Sequence, residues 1–310
     1  MSVRVSRKML SASALAIVIS EFRKLSAARH RAAGGRGAPA TQIDQAANAI
    51  ILVLFYGISI RGCRHLANEA TVRYWLKAAA KHGVFARIKK VLFNKMREFG
   101  LFSFGRMKLD STSIKTLHGG DLVGYNFKTK SGGTKISLLV DENGSIITHV
   151  LGAANSHDMV FAKQTILEAG PENMTLFTSL EADKGYDSFD FRKWLQINGI
   201  KPEIRYRTKK AQAAHKKPKR KSKRWIIERT NALLKQFEGM RLRRVKRGDV
   251  WGNLVSLAIA ISYLRAILKK GGGKISGVVL DFFLRLFVTH AKGVEGNKPQ
   301  ISQAKNVTQL

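Results

Sequence analysis

Between Gln42 and Gly100 apolar positions recur at helical spacing: Leu76, Ala79 and Ala80, then Val84, Ile88, Val91 and Leu92. That spacing predicts a small helical module with Gly57, Gly62 and Gly83 as turns. The period then changes to two. Met107 and Leu109 alternate with polar residues over 106–112, and 135–152 holds two β-branched runs around Asp141-Glu142-Asn143-Gly144, a hairpin turn. Further strands are predicted over 174–180 and 201–207, with helices from Asp158 to Leu167 and from Phe189 to Ile197. Asp187 or Ser188 reads as the cap of the second helix, Ser156 or Asp158 as that of the first, and Gly132-Gly133 as a turn. The order β, ββ, α, β, α, β, followed by helices, predicts a mixed sheet flanked by helices.

Two breaks punctuate the chain. "RAAGGRGAPATQ" (31–42) has no apolar periodicity and marks a linker, and Gly271-Gly272-Gly273 is a stop. Beyond it lie one apolar segment, 275–290, predicted as a helix, and a polar end.

Composition adds the partner class. Fifty-five Lys and Arg against 21 acids give a net charge of +34, which calls for a polyanionic partner, nucleic acid first. The single cysteine, Cys63, excludes an internal disulfide framework and a cysteine-rich zinc site, and fits a reducing compartment. The apolar stretch 250–264 is shorter than the roughly 18 residues a bilayer span needs, so it reads as a buried helix and no membrane partner is expected. Residues 1–40 carry basic residues ahead of a short apolar run, with Glu21 as their only acid. They fit a targeting sequence or, preferred here, a basic arm that lies on DNA or stays disordered. The basic run of 205–224 is a solvated strip, a nuclear-import signal or a phosphate-binding surface.

Three acids stand where solubility does not ask for them. Asp110 and Asp183 each end an apolar strand, and Glu228 lies on a helix predicted across "KSKRWIIERTNALLKQFEGM". At about 100° per residue Ile226, Leu233, Phe237 and Met240 share one stripe of that helix, while Arg224, Glu228 and Lys235 group on the opposite face. Singly, each acid has an ordinary reading: a turn or cap for Asp110 and Asp183, an i, i+4 pair with Arg224 for Glu228. Jointly, in a chain short of acids, they form a set of oxygen donors for hard divalent cations. Two such ions about 3.5 to 4 Å apart stabilise the attacking and leaving oxygens of a phosphodiester displacement. Trp225, Trp194 and Phe191 read as core residues, and His157 as incidental.

The stretches "LDSTSIKT", "GGTKISLLVDENGSIITHVLGAANSHD", "LEADKGYDS" and "KRWIIERTNALLKQFEGMRLRRVKR", in that order, resemble the catalytic domain of DDE transposases of the IS4/IS5 insertion-sequence type. The resemblance covers residues 101–268, and "YGISIRGCRHLANEATVRYWLKAAAKHGVFARI" is more weakly similar to the helical segment that precedes that domain. It implies an α/β, RNase H-like catalytic domain preceded by a small helical domain, with the first acid on the first strand, the second after the fourth and the glutamate on a later helix. Asp110, Asp183 and Glu228 then become the catalytic and metal-holding residues. Around the glutamate the wider grouping places a Tyr, an Arg, the Glu and a Lys. Arg224, Glu228 and Lys235 match that spacing, and Lys221 stands at the Tyr position.

The resemblance further implies two divalent metal ions, Mg²⁺ or Mn²⁺, and a transposase that cleaves DNA at transposon ends and joins the freed strand to target DNA. Arg224, Lys235, Lys184, Lys221 and Lys223 are the expected DNA contacts, and a homodimer or higher oligomer on DNA is expected. No nucleotide cofactor is expected, because transesterification conserves phosphodiester energy and "GGGKIS" (271–276) departs from a phosphate loop. The alternative is a catalytically inactive or domesticated transposase-derived DNA-binding protein. Either would work in the cytoplasm on a bacterial nucleoid, or in the nucleus of a eukaryotic or viral host. The expected plan is a basic arm 1–40, a helical DNA-binding module 41–100, the catalytic domain 101–269 with its basic segment 205–224, and a tail 270–310.

Overall fold

The computed structural model describes residues 6–32, 34, 42–208 and 222–270. Most of the basic run, Lys221 included, and the tail with its predicted apolar helix lie outside the described residues.

Four helices come first: α1 (Arg7–Ala32), α2 (Ile43–Tyr56), α3 (Glu69–Lys81) and α4 (Val84–Glu98). Helix α1 corrects the expectation of a disordered arm. Leu10, Ala14, Ile17, Val18, Phe22 and Leu25 recur at helical spacing and are buried, while Arg7, Arg23, Arg29 and Arg31 face outward. Phe22 stacks on Trp75 of α3 with 4.9 Å between ring centroids. The buried Glu21 carboxylate is paired with Lys24 at 3.0 Å and with Arg87 of α4 at 3.4 Å. Gly57 closes α2 and Gly83 opens α4, both with left-handed backbone, φ +65° and +59°. Gly62 sits inside a single 3-10 turn, Ile60–Cys63.

The sheet has seven strands: β1 (Arg106–Thr116), β2 (Gly124–Asn126), β3 (Ser131–Val140), β4 (Ile146–Ala153), β5 (Ser179–Ala182), β6 (Lys201–Ile204) and β7 (Leu242–Arg243). The main path runs β4-β3-β1-β5-β6, antiparallel from β4 to β1 and parallel from β1 to β6. That is the RNase H-like topology. Short β2 pairs with the start of β3, and β7 with the end of β1. Helices α5 (Asp158–Leu167), α6 (Pro171–Met174) and α7 (Phe189–Ile197) fill the connections, and α8 (Trp225–Leu234) and α9 (Gly248–Lys270) follow. The strand predicted from 174 begins only at Ser179, because Pro171–Met174 forms a helical turn. Gly132 and Gly133 belong to β3 rather than to a turn. A Cβ on Gly133 would come 3.0 Å from the Ile114 carbonyl oxygen, so glycine permits the strand contact there.

Side-chain alternation splits the core between the two faces of the sheet. Met107, Leu109 and Leu139 pack with Ala162 and Ile166 of α5 and Phe191 and Leu195 of α7. Ile114, Ile136, Leu138 and Val140 join a cluster that runs through α9 into α1–α4. Helix α9 is long and apolar enough to cross a bilayer by length and composition, and 72% of its most apolar stretch is buried in the protein. This agrees with the reading of 250–264 as a buried helix, although the element is longer than that stretch.

Candidate active site

Strands β1 and β5 pair in parallel from Arg106↔Ser179 to Leu109↔Ala182. The next residue on each is Asp110 and Asp183. The two acids therefore leave adjacent strands at one level, with backbones about one strand spacing (~4.8 Å) apart, at the carboxyl-end crevice where parallel strands diverge. Asp110 does not end its strand, as expected from the sequence: β1 continues to Thr116 and only the pairing with β5 stops.

Asn231 of α8 donates through Nδ2 to Asp110 Oδ2 at 3.1 Å. Burial pushes the Asp110 carboxyl above the usual carboxylate range. The Ser111 backbone N–H and the Arg224 charge oppose that shift, and the charges of Asp158 and Asp183 add to it. Asp183 Oδ1 accepts the Lys184 backbone N–H at 2.8 Å, capping the 3-10 turn Lys184–Tyr186, and also accepts Arg224 Nη1 at 3.0 Å. Capping and ion pairing thus fall to one carboxylate. Asp187 accepts instead from Arg192 Nε at 2.8 Å and the Arg207 backbone N–H at 2.7 Å, so Ser188, the other expected residue, holds the N-cap position of α7, without a side-chain cap bond. His157, not Ser156 or Asp158, caps α5 by accepting the Met159 N–H at 3.3 Å.

Glu228 is exposed in the first turn of α8, with its Oε1 3.9 Å from Arg224 Nη2. Arg224 therefore links Glu228 to Asp183. Among the described residues no three His, Cys, Asp or Glu side chains lie together in a metal-holding cluster. The structure sets Asp110 beside Asp183 and ties Glu228 to them through a guanidinium, without converging the three carboxylates. Helix α8 stops at Leu234, so Phe237 and Met240 reach the core from a following 3-10 turn, and the expected long stripe is cut short. Lys235 is the α8 C-cap residue; burial pushes its ammonium below the usual value and Asp110 pulls it back. Lys184 and Lys223 are exposed.

Sequence reasoning missed four supports of this site. Glu181, buried on β5, accepts the Lys223 backbone N–H at 3.1 Å and the Ser222 hydroxyl, fastening the start of α8 to the sheet. Its signal was an acid between Leu180 and Ala182 in a four-residue strand. Asn231 had no signal beyond its place one turn after Glu228. Tyr186 is buried with its hydroxyl 3.0 Å from Ser111 Oγ, and Asp158 Oδ1 lies 2.7 Å from Lys135 Nζ. Trp225 is 55% exposed beneath the Arg229 guanidinium, 4.9 Å from the ring centroid, so it is not the core residue expected; Phe191 is fully buried.

Residues 107–263, half of the chain, match the family described as the Transposase DDE domain. A Burkholderia cepacia protein named as a transposase for insertion sequence element IS402 is 30% identical over 136 residues, a match that covers 42% of this chain and 62% of that protein. The chain thus spans less than two thirds of that relative. The crystal structure of a pre-cleavage Mos1 transpososome superposes with a TM-score of 0.22 at 10% identity, covering 76% of this chain and 81% of that one. The fold assignment rests on the strand order above and not on that superposition. With that match over half of its length, the chain belongs to the Transposase DDE domain family.

Proposed function

We propose that the protein is a metal-dependent DNA transposase that hydrolyses phosphodiesters at transposon ends and transfers the freed strand into target DNA. The observation that carries this is the Leu109↔Ala182 register, which delivers Asp110 and Asp183 side by side at the crevice. The surroundings fit a hard divalent cation. Asp110 lies within electrostatic reach of two further carboxylates, Asp158 and Asp183, and the Asn231 Oδ1 beside it is buried without a hydrogen-bond partner. Asp110, Asp183 and Glu228 would hold Mg²⁺ or Mn²⁺, which when bound supplies Lewis acidity to the phosphoryl oxygens.

The chain's own cations do the rest. Arg224, released from Asp183 and Glu228, binds phosphate oxygens next to the scissile bond, and Lys235 does so from within electrostatic reach of Asp110. Lys184 and Lys223 neutralise the approach of the polyanion to an acidic crevice. DNA ends, target DNA and a second copy of the chain are the partners in this reading. The test is nicking of DNA bearing the element's ends with Mg²⁺ or Mn²⁺. Wild type should nick and Asp183→Ala should be silent; equal activity of the two would overturn the assignment.

Arg224 yields a second expectation. Its guanidinium now occupies the space that links two of the acids, so Arg224→Gln should bind Mn²⁺ more tightly, by a few-fold, while nicking about 10²-fold more slowly for want of the phosphate contact. Mn²⁺ titration followed by electron paramagnetic resonance reads the first effect without any turnover.

A further inference from the structure

The connection between β1 and β3, residues 117–130, carries no part of the site above, yet it is built unlike an idle loop. Phe127 is 80% exposed and Tyr125 50%, with their rings edge to face at 5.0 Å, and Leu117 and Leu122 of the same connection are 52% and 40% exposed. Contiguous apolar exposure of this kind marks a contact surface.

The segment is held rigidly. Asn126 Oδ1 accepts the backbone N–H groups of Lys128 at 3.0 Å and Thr129 at 3.4 Å, and the Leu122 carbonyl accepts Thr134 Oγ1 at 3.0 Å. Asp121 donates its N–H to the Lys246 carbonyl at 3.1 Å and accepts the Gly248 N–H at 3.0 Å. Leu122 and Lys130 are held at φ +59° and +48°, a conformation that costs energy in a non-glycine residue and persists only when its surroundings impose it.

Next to the aromatic pair in the chain lie exposed Lys128 and Lys130, and Arg244 and Lys246, exposed as well, belong to the segment that anchors this connection. The acids of this region are already engaged, Asp121 by the Gly248 N–H and Asp249 by Arg247 at 2.6 Å. A second copy of the chain would bring like charge against like. A polyanion with flat apolar faces fits both features, and nucleic-acid strands are such a polyanion.

Register fixes where this surface points. Tyr125 pairs with Gly132, and Ile114 with Thr134; both pairs share the parity of Asp110↔Leu138, so Tyr125 lies on the Asp110 face of the sheet. Six residues along a strand and two strand spacings separate it from Asp110, roughly 22 Å. We propose that Tyr125 and Phe127 form a stacking platform for unpaired DNA bases, with Lys128 and Lys130 on the flanking phosphates. The position relative to the scissile bond, about six nucleotides at ~3.4 Å each, rests on the DNA-cleavage reading; the stacking itself does not.

The test uses the full chain in EDTA, with fluorescence anisotropy of a labelled oligo-dT strand and a duplex of equal length. The Tyr125→Ala, Phe127→Ala double variant should bind oligo-dT about 10- to 100-fold more weakly, with duplex affinity nearly unchanged. Tyr125→Phe with Phe127→Trp should restore it. Lys128→Gln with Lys130→Gln should flatten the salt slope on oligo-dT by about 1.4. Unaltered oligo-dT affinity in a double variant with wild-type circular dichroism overturns the proposal. So does equal weakening on duplex, or a change in mass by light scattering with oligo-dT affinity intact, which would make the surface a contact between copies. A chain that never nicks but passes these tests keeps the platform and loses the cleavage reading.

Discussion

Asp110→Asn is expected to lower Mg²⁺-dependent nicking by about 10³-fold or more and, in the same protein, to raise the unfolding temperature near neutral pH. The two effects share a cause. Burial and the charges of Asp158 and Asp183 hold the folded-state pKa of Asp110 above its unfolded value. The folded state then binds more protons than the unfolded one, so stability falls as pH climbs from the ordinary carboxylate range through the raised folded value. The penalty is absent in acid and fully present at neutral pH. Asparagine removes the charge and keeps a side-chain oxygen for the 3.1 Å bond from Asn231. Scanning calorimetry at pH 3 and pH 7.5 should show wild type and variant close in acid and the variant ahead at neutral pH. A variant less stable than wild type at pH 7.5 would mean that Arg224 more than compensates the burial.

The second large effect is expected at Arg243, which is 1% exposed and has no carboxylate within salt-bridge distance among the described residues. It donates through Nε to the Val245 carbonyl at 2.8 Å, through Nη1 to Thr134 Oγ1 at 2.6 Å and through Nη2 to the Lys246 carbonyl at 2.6 Å. Arg243→Met keeps most of the volume but removes donors from three acceptors, of which only the Lys246 carbonyl keeps another, the Asp121 N–H; this should cost about 3 kcal/mol in urea unfolding. Lysine at this position cannot reproduce the planar fork and should recover only part of the loss. Because Lys246 and Thr134 are also the anchors of the 117–130 segment, the methionine variant should lose oligo-dT affinity with Tyr125 and Phe127 untouched.

What the sequence disclosed followed the strength of local physics. Helix α7 was legible to the residue because its apolar positions repeat without interruption, and the β3–β4 hairpin because Asp141 to Gly144 can hardly do anything but turn. Helix α1 was misread because its arginines dominate the composition, while the buried stripe that makes it a helix is a matter of spacing. The acids were identifiable as a set, yet not why they meet: the Leu109↔Ala182 register joins residues more than seventy positions apart, and no local pattern encodes it. Nor did composition reveal that Arg224 would stand between Asp183 and Glu228, since a pair at i, i+4 is equally well satisfied at a bland surface.

The cluster that runs from the sheet through α9 into α1–α4 has a mechanical consequence. A chain with two separate cores could swing a DNA-gripping head relative to its catalytic crevice on a hinge. Here the helices and the strands bury the same side chains, so opening such a hinge would expose Trp251, Val255 and Ile259 together with Phe85 and Ile88. The described residues share one core, and in the DNA-cleavage reading proposed above a change of angle between a held DNA end and the cutting point would have to be absorbed by bending of the DNA or by a shift between copies of the chain.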